Sequence, residues 1–203
     1  MAYNPEYHHR RSIRLKGYDY SRPGAYFVTV CAWKKESMFG EVANGEMLLN
    51  ECGQNVVHCW NDLPCHYPNG QLDEFIVMPN HIHGIIMLNV GAGLQPARIE
   101  AGTNVGAGFK PARIDTDSDE INRAGLKPAP TKCHGLPEIV RAFKTFSARR
   151  VNTLRNTPGV PLWQRNYHEH IIRDDRELHA IREYIRYNPL RWGEDDENPN
   201  RHM

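Results

Sequence analysis

Long apolar runs are missing from this 203-residue chain: none approaches the roughly 18–20 residues that a membrane-spanning helix requires. Residues 1–14 are polar and basic with no apolar segment behind them, so they do not read as a secretory signal, and the expected location is cytoplasmic. An excess of one charge is also missing. The 25 Lys and Arg against 24 Asp and Glu leave a net charge of +1, so bulk charge announces no nucleic-acid partner, although a basic face can be offset by acids elsewhere. Cysteine is scarce and badly spaced. Cys31, Cys52, Cys59, Cys65 and Cys133 are an odd number without a CxxC pair, which argues against a disulfide framework and serves structural zinc poorly. Cys59 and Cys65, beside His58 and His66, read as thiols in and beyond an amphipathic helix.

What is present fits one domain with appendages. Residues 1–20 form a basic arm with aromatics near its end, and the rest to 195 reads as the domain, with 196–203 as a tail. Residues 25–32 are rich in β-branched and aromatic side chains and follow Pro23-Gly24, which predicts a first strand. Asn44-Gly45 predicts a tight hairpin turn. A helix is expected over 50–62, ended by Pro64, then antiparallel strands over 72–77 and 83–88. Residues 136–154 read as a helix with Ile139, Phe143, Phe146 and Leu154 on one face; Arg150 falls on that apolar side and would have to snorkel. Residues 162–164 and 169–173 predict a last strand with a bend between. Asp174 and Glu177 make a capping box for a final helix that Pro189 closes.

Residues 89–134 differ in kind. Asn89-Val90-Gly91-Ala92-Gly93-Leu94-Gln95-Pro96-Ala97-Arg98 recurs as Asn104-Val105-Gly106-Ala107-Gly108-Phe109-Lys110-Pro111-Ala112-Arg113, and again in degraded form from Asn122. Each copy is too short and too rich in Gly and Pro to fold alone. The segment reads as an insertion in a surface loop, of the kind a dispersed DNA repeat landing in frame would leave; a lid or DNA-gripping loop is the alternative.

Met78-Pro79-Asn80-His81-Ile82-His83-Gly84-Ile85-Ile86 carries the chemistry. Side chains alternate along a strand, so His81 and His83 share a face and can offer two ligands to one metal ion. Taken alone, the pair reads more readily as two ordinary strand-edge histidines. The final helix adds weight. Leu178, Ile181 and Ile185 form its inward stripe, and Tyr184 and Asn188, one turn apart, lie beside it within about 40° of each other; Tyr187 points outward. A phenol and an amide on one helix face, opposite two imidazoles, make a coherent constellation.

The Pro-Asn-His-Ile-His-Gly block, Trp163-Gln164 with Glu169-His170-Ile171-Ile172-Arg173, and Glu183-Tyr184-Ile185-Arg186-Tyr187-Asn188-Pro189, in this order, resemble the single-tyrosine HUH transposases. The branch resembled is the REP-associated tyrosine transposases, over residues 10–88 and 135–195. The resemblance implies an α+β, ferredoxin-like α/β sandwich, with an antiparallel sheet carrying the HUH strand centrally and a C-terminal catalytic helix. It implies Mg²⁺ or Mn²⁺ on His81 and His83 with Asn188 completing the site, and Tyr184 as the nucleophile. The implied reaction is attack on a phosphodiester of single-stranded, hairpin-bearing DNA, giving a 5′-phosphotyrosine and a free 3′-hydroxyl. His170 reads either as a helper or as a structural histidine. Arg10, Arg11, Arg14, Lys16, Arg141, Lys144 and Arg149 are expected to grip DNA phosphates, with stacking from Tyr18 or Tyr20. The protein is expected as a monomer or homodimer in the bacterial cytosol, associated with the nucleoid. Two other functions stay open: a non-cutting binder of palindromic single-stranded DNA, and a metal-dependent hydrolase of small phosphodiesters, which the lack of an obvious third His, Asp or Glu ligand disfavours.

Overall fold

Alternating side chains shape the first strand, β1 (Gly24–Cys31): Tyr26, Val28 and Val30 are fully buried on one face, while Phe27, Thr29 and Cys31 take the other. The computed structural model describes residues 15, 17–89, 134–195, 197–199 and 201. After β1 come the hairpin strands β2 (Gly40–Ala43) and β3 (Glu46–Leu49). Asn44 and Gly45 join them at φ of 54° and 78°, the paired positive angles that an Asn-Gly hairpin turn demands. Helix α1 (Glu51–Asn61) is capped by Asn50, whose side chain accepts from the Gly53 amide, and a single further turn, α2 (Leu63–His66), carries Pro64 near its start. Then follow β4 (Gly70–Val77), β5 (His81–Leu88), α3 (Leu136–Leu154), β6 (His168–Ile172), α4 (Asp175–Tyr187) and a 3-10 stretch, Pro189–Glu194.

The main sheet runs β4-β5-β1-β6, with each neighbouring pair antiparallel. With α1 and α3 between strands, the order β1-α1-β4-β5-α3-β6 is the ferredoxin-like sandwich the motifs implied, and the histidine strand β5 is an inner one. Val56, Trp60, Ile139 and Phe143 from α1 and α3 pack on Val28, Val30, Ile82 and Ile86. Trp60 stacks on Phe75 at 4.4 Å and lies so close over Gly84 that a Cβ there would stand 2.4 Å from the indole ring. The opposite face carries a smaller core of Ile85, Ile172 and Ile185, with Leu178 and Ile181 against it. That face belongs to α4.

Helix α4 is held at three places. Asp174 accepts from the Glu177 amide at 2.8 Å, the cap read from the sequence, while Glu177 accepts at 2.8 Å from the amide of Arg173, one residue before the cap, rather than from Asp174 itself. Between Leu72 and Phe75 the β4–β5 register shifts, a bulge that inserts an extra residue into β4 and brings out Asp73 and Glu74 in succession. Arg182 donates to Asp73 (Nε to Oδ1, 2.8 Å) and Arg186 to Glu74 (Nε to Oε1, 2.9 Å), so two helix turns are tied to the bulge.

Four expectations are corrected. The buried stripe of α3 is Leu136, Ile139, Val140, Phe143, Ser147 and Val151; Phe146 and Leu154 are 47% and 40% exposed, Phe146 flanking the stripe against His66 and Leu154 lying in the last turn. Arg150 does not snorkel into the core: it is exposed, 3.8 Å from Asp62. Residues 162–164 form no strand: Trp163 makes one bridge to Ala32. Tyr18 and Tyr20 are not laid out for bases: Tyr20 is buried against Tyr26, and the Tyr18 and Tyr26 hydroxyls are 3.3 Å apart, because the chain entering β1 is needed to close the core beside Leu136.

Of the repetitive insertion, residues 90–133 lie outside the described residues, but its two roots are described. Buried Asn69 holds both: its carbonyl accepts from the Asn89 amide (2.8 Å), and its side-chain amide donates to the His134 carbonyl (2.8 Å). Ends fixed on one residue need only a short bridge. Replacing residues 90–133 with a short Gly/Ser linker should therefore leave the melting temperature unchanged or higher, and any DNA-processing activity largely intact; complete loss of either would make the segment part of the working structure.

Candidate functional site

Strand alternation decides the geometry here. In β5, Ile82 and Ile86 join the core under α1 and α3, whereas His81, His83 and Ile85 face α4. The register sets Cys31 opposite His81 and Thr29 opposite His83. Both imidazoles are buried, at 0% and 3% exposure, and their Nε2 atoms approach to 3.0 Å. Each Nδ1 is occupied. Asn80 Nδ2 donates to the carbonyls of Lys35 (3.0 Å) and Glu197 (2.7 Å), which leaves Asn80 Oδ1 to accept from His81 Nδ1 at 2.9 Å. His83 Nδ1 pairs with the Thr29 hydroxyl at 2.8 Å. His81 is thereby fixed in the tautomer whose Nε2 carries a lone pair.

Burial pulls His81 down to about 4, against the opposing pull of Asp195 and Glu197. Burial, and then His81 and His168 nearby, hold His83 well below the ordinary histidine value. Both rings are neutral at physiological pH, the state in which imidazole ligates metals. The donor set fits a divalent cation. Two neutral imidazole nitrogens side by side on one strand face could both ligate a single ion. Asp195, from the end of the 3-10 stretch, adds a carboxylate oxygen, and the three ligand atoms lie within 4.8 Å of one another. Imidazole favours Mn²⁺ over the harder Mg²⁺.

Asp195 is the residue that sequence reasoning missed. It sits in an acidic run, Glu194-Asp195-Asp196-Glu197, which looks like a solvated tail. Asn188, expected as the third ligand, is buried beside it: Nδ2 donates to Asp195 Oδ2 at 3.2 Å, while Oδ1 is buried without a hydrogen-bond partner. The amide thus orients the carboxylate and keeps an unused acceptor of its own. The tail boundary also moves, since the Glu197 carboxylate reaches Lys35 at 2.9 Å and its carbonyl holds Asn80.

Tyr184 arrives from α4 with its hydroxyl 3.2 Å from His83 Nε2, in the same chain. Phe27 packs on both rings, 5.3 Å from His83 and 6.0 Å from Tyr184. Burial raises the phenol above its ordinary value, Asp195 adds to the rise, and Asn188 opposes it. Tyr187 is half exposed, as its place on the helix predicts. A cleft of about 500 Å³ opens over the group, with His168, Arg191 and Arg201 in its wall.

The other expected residues lie elsewhere. His170 is engaged by Glu177 at 2.6 Å, so its ring belongs to the cap of α4; His168, two residues earlier on the same strand face, borders the cleft instead. Arg141 and Arg149 are exposed on α3, across the sheet from the histidines. Lys144 is no free cation: its ammonium donates to the carbonyls of Gln164 (2.7 Å) and Arg165 (2.9 Å), and burial draws it down to about 8. Arg10, Arg11, Arg14 and Lys16 lie outside the described residues.

No protein-family profile matches the chain. An uncharacterized protein of Haemophilus influenzae is 39% identical over 196 residues, covering 95% of both chains. The two belong to one family. Among solved structures, a REP-associated tyrosine transposase bound to a REP hairpin superposes with a TM-score of 0.51 at 18% identity, over 89% of this chain and 74% of that one. The chain has the REP-associated tyrosine transposase fold. The resemblance carried by the motifs thus holds at the level of architecture, and the transposase fold here bears a His-His-Asp group within a tyrosine's reach. Among the described residues no helix is long and apolar enough to cross a membrane.

Two outcomes follow. Asn80→Ala removes the partner that sets the His81 tautomer, and Mn²⁺ affinity by calorimetry should fall about 10–100-fold, while unchanged affinity would make the amide irrelevant to the ligand. The depressed His81 value implies that unfolded chains bind protons below about 6.5, whereas the folded ring resists until about 4. Stability measured by urea should therefore decline as pH falls from 6.5 to 4, and a His81→Gln variant should show a shallower decline.

Proposed function

We propose that the protein is a transposase-type endonuclease and strand transferase acting on single-stranded, hairpin-bearing DNA, with Tyr184 as nucleophile. The observation that carries this reading is the Tyr184 hydroxyl resting 3.2 Å from a ring of the paired, neutral histidines. A metal-binding group alone would serve many hydrolases; a phenol built onto a clamped helix and aimed at that group is what covalent transfer needs.

His81, His83 and Asp195 would hold the cation, and Asn188 would steady Asp195 or add its own oxygen. A bound Mg²⁺ or Mn²⁺ supplies Lewis-acid polarisation of the phosphoryl oxygen and offsets the charge that builds on it. The chain does the rest. Arg191 and Arg201 in the cleft wall draw the phosphate in, and Phe27 holds the phenol side-on to the histidines. Tyr184 Oη bonds to phosphorus, the bond to the 3′-oxygen breaks, the phenol gives up its proton and the leaving oxygen takes one. The product is a 5′-phosphotyrosine and a free 3′-hydroxyl, which can reverse the step on another end. The Tyr184 hydroxyl beside a histidine of its own chain supports a reaction in cis, carried out by one subunit. The protein would work in the bacterial cytosol on nucleoid DNA.

Asp195 removes one objection to a small-phosphodiester hydrolase, so the discrimination rests on the tyrosine. Wild-type protein, incubated with Mn²⁺ and single-stranded DNA from the gene's own flanks, should give a denaturant-resistant, mass-shifted band. Tyr184→Phe should abolish the band and keep hairpin binding. A wild type that binds without ever forming the band would make the protein a non-cutting binder, and nitrophenyl phosphodiester turnover that survives Tyr184→Phe would make it a hydrolase.

A further inference from the structure

On the face of the sheet away from the histidines, α3 and the chain 160–167 enclose a groove of about 840 Å³ that the proposed cleavage chemistry does not use. Its volume lies in the range of small-ligand sites. Arg141 from α3 and Arg165 from the loop stand exposed in its walls, Val160 and Pro161 give it an exposed apolar side, and Gln164 presents an amide. The acid in its wall, Glu138, lies 2.9 Å from His134, and Arg141 and Arg165 outnumber it, so the charge offered to a ligand is positive. The floor is rigid: Trp163 Nε1 donates to the Ser147 hydroxyl at 2.9 Å, and Lys144 pins the carbonyls of Gln164 and Arg165.

The groove adjoins the histidine cleft around the edge of the sheet. The backbone N–H of Gln164 donates to the Cys31 carbonyl, and Cys31 is the register partner of His81, so the groove sits at the end of the sheet that carries the paired histidines. Tyr167 lines the groove and His168 lines the cleft. Tyr167 immediately precedes β6 and His168 opens it, so adjacent residues at the start of an edge strand line the two cavities. A polymer of alternating anionic groups and flat apolar rings can pass around that edge from one cavity into the other.

We propose that this groove seats one or two nucleotides of the DNA strand whose scissile phosphate lies over His81 and His83, with phosphates on Arg141 and Arg165 and a base against Val160 and Pro161. The inference rests on the transposase reading for which strand is bound, and it adds where the flanking nucleotides go. A nucleotide held there would fix which phosphate is presented to Tyr184, making the groove a determinant of cleavage position.

The test uses the full chain and single-stranded oligodeoxynucleotides from the gene's flanks, carrying 5-iododeoxyuridine at successive positions, irradiated and mapped by mass spectrometry. At one or two positions the crosslink should fall within residues 141–148 or 160–167, in wild type and in Tyr184→Phe alike. Thr145→Trp, which fills the groove from an exposed helix position, and Arg165→Glu should each weaken oligonucleotide binding about tenfold or more and suppress that crosslink. Unchanged melting temperatures would show both variants folded. Adducts on Tyr184 without any crosslink to these segments, or Thr145→Trp binding as tightly as wild type, would overturn the groove assignment and leave the cleavage reading standing. Crosslinks there without any adduct would support the groove and defeat the cleavage reading instead.

Discussion

The amide of Asn80 is the interaction on which the site depends. Its oxygen sets the tautomer of His81, and its nitrogen gathers the Lys35 carbonyl from the loop after β1 and the Glu197 carbonyl from the C-terminal strap. Two distant pieces of chain are therefore tied to the start of the histidine strand through one fully buried side chain. A buried amide left partly unsatisfied would be costly, so each piece has a reason to stay where it is. Lys34 and Lys35 show the local consequence. Both hold positive φ, 56° and 57°, an unfavourable conformation for residues with a Cβ, tolerated here because Asn80 and the chain around it over-determine the loop.

Around that anchor the sheet works as a two-sided device. One face is closed by the large core under α1 and α3, where Trp60 presses on Gly84 and leaves β5 no freedom to shift. The other carries only a small apolar cluster, so α4 is held as much by ions as by packing. The β4 bulge is the economical solution: one extra residue delivers two adjacent carboxylates to two arginines spaced a helical turn apart. The helix is then fixed in rotation, and its rotation decides whether Tyr184 or Tyr187 faces the histidines.

Much of this was legible along the chain because the signals are local. The Asn-Gly turn, the Asp174 cap, the first strand and the facing of His81 with His83 need only neighbouring residues to be understood, and each appears as read. The inward stripe of α4 is likewise a matter of 3.6-residue periodicity. What misled were residues whose chemistry is generic and whose partners are remote. A lysine on a helix looks like a phosphate contact until its ammonium is found among loop carbonyls, as Lys144 is. Tyr20 in a basic arm looks like a stacking platform until it is found roofing the core. His170 and His168 are indistinguishable as letters, and only the position of Glu177 separates them.

The amino-acid order by itself determined most of the strands and helices, the pairing of two imidazoles on one strand face and the placing of a tyrosine one turn before an asparagine, because side-chain periodicity is a property of the backbone. Only the tertiary structure decided that Asp195 joins the histidines, that Asn188 steadies it and that a basic groove lies just around the sheet edge. Those depend on where a chain returns after turning, and the return is set by long-range packing and buried hydrogen bonds that no short stretch of sequence encodes.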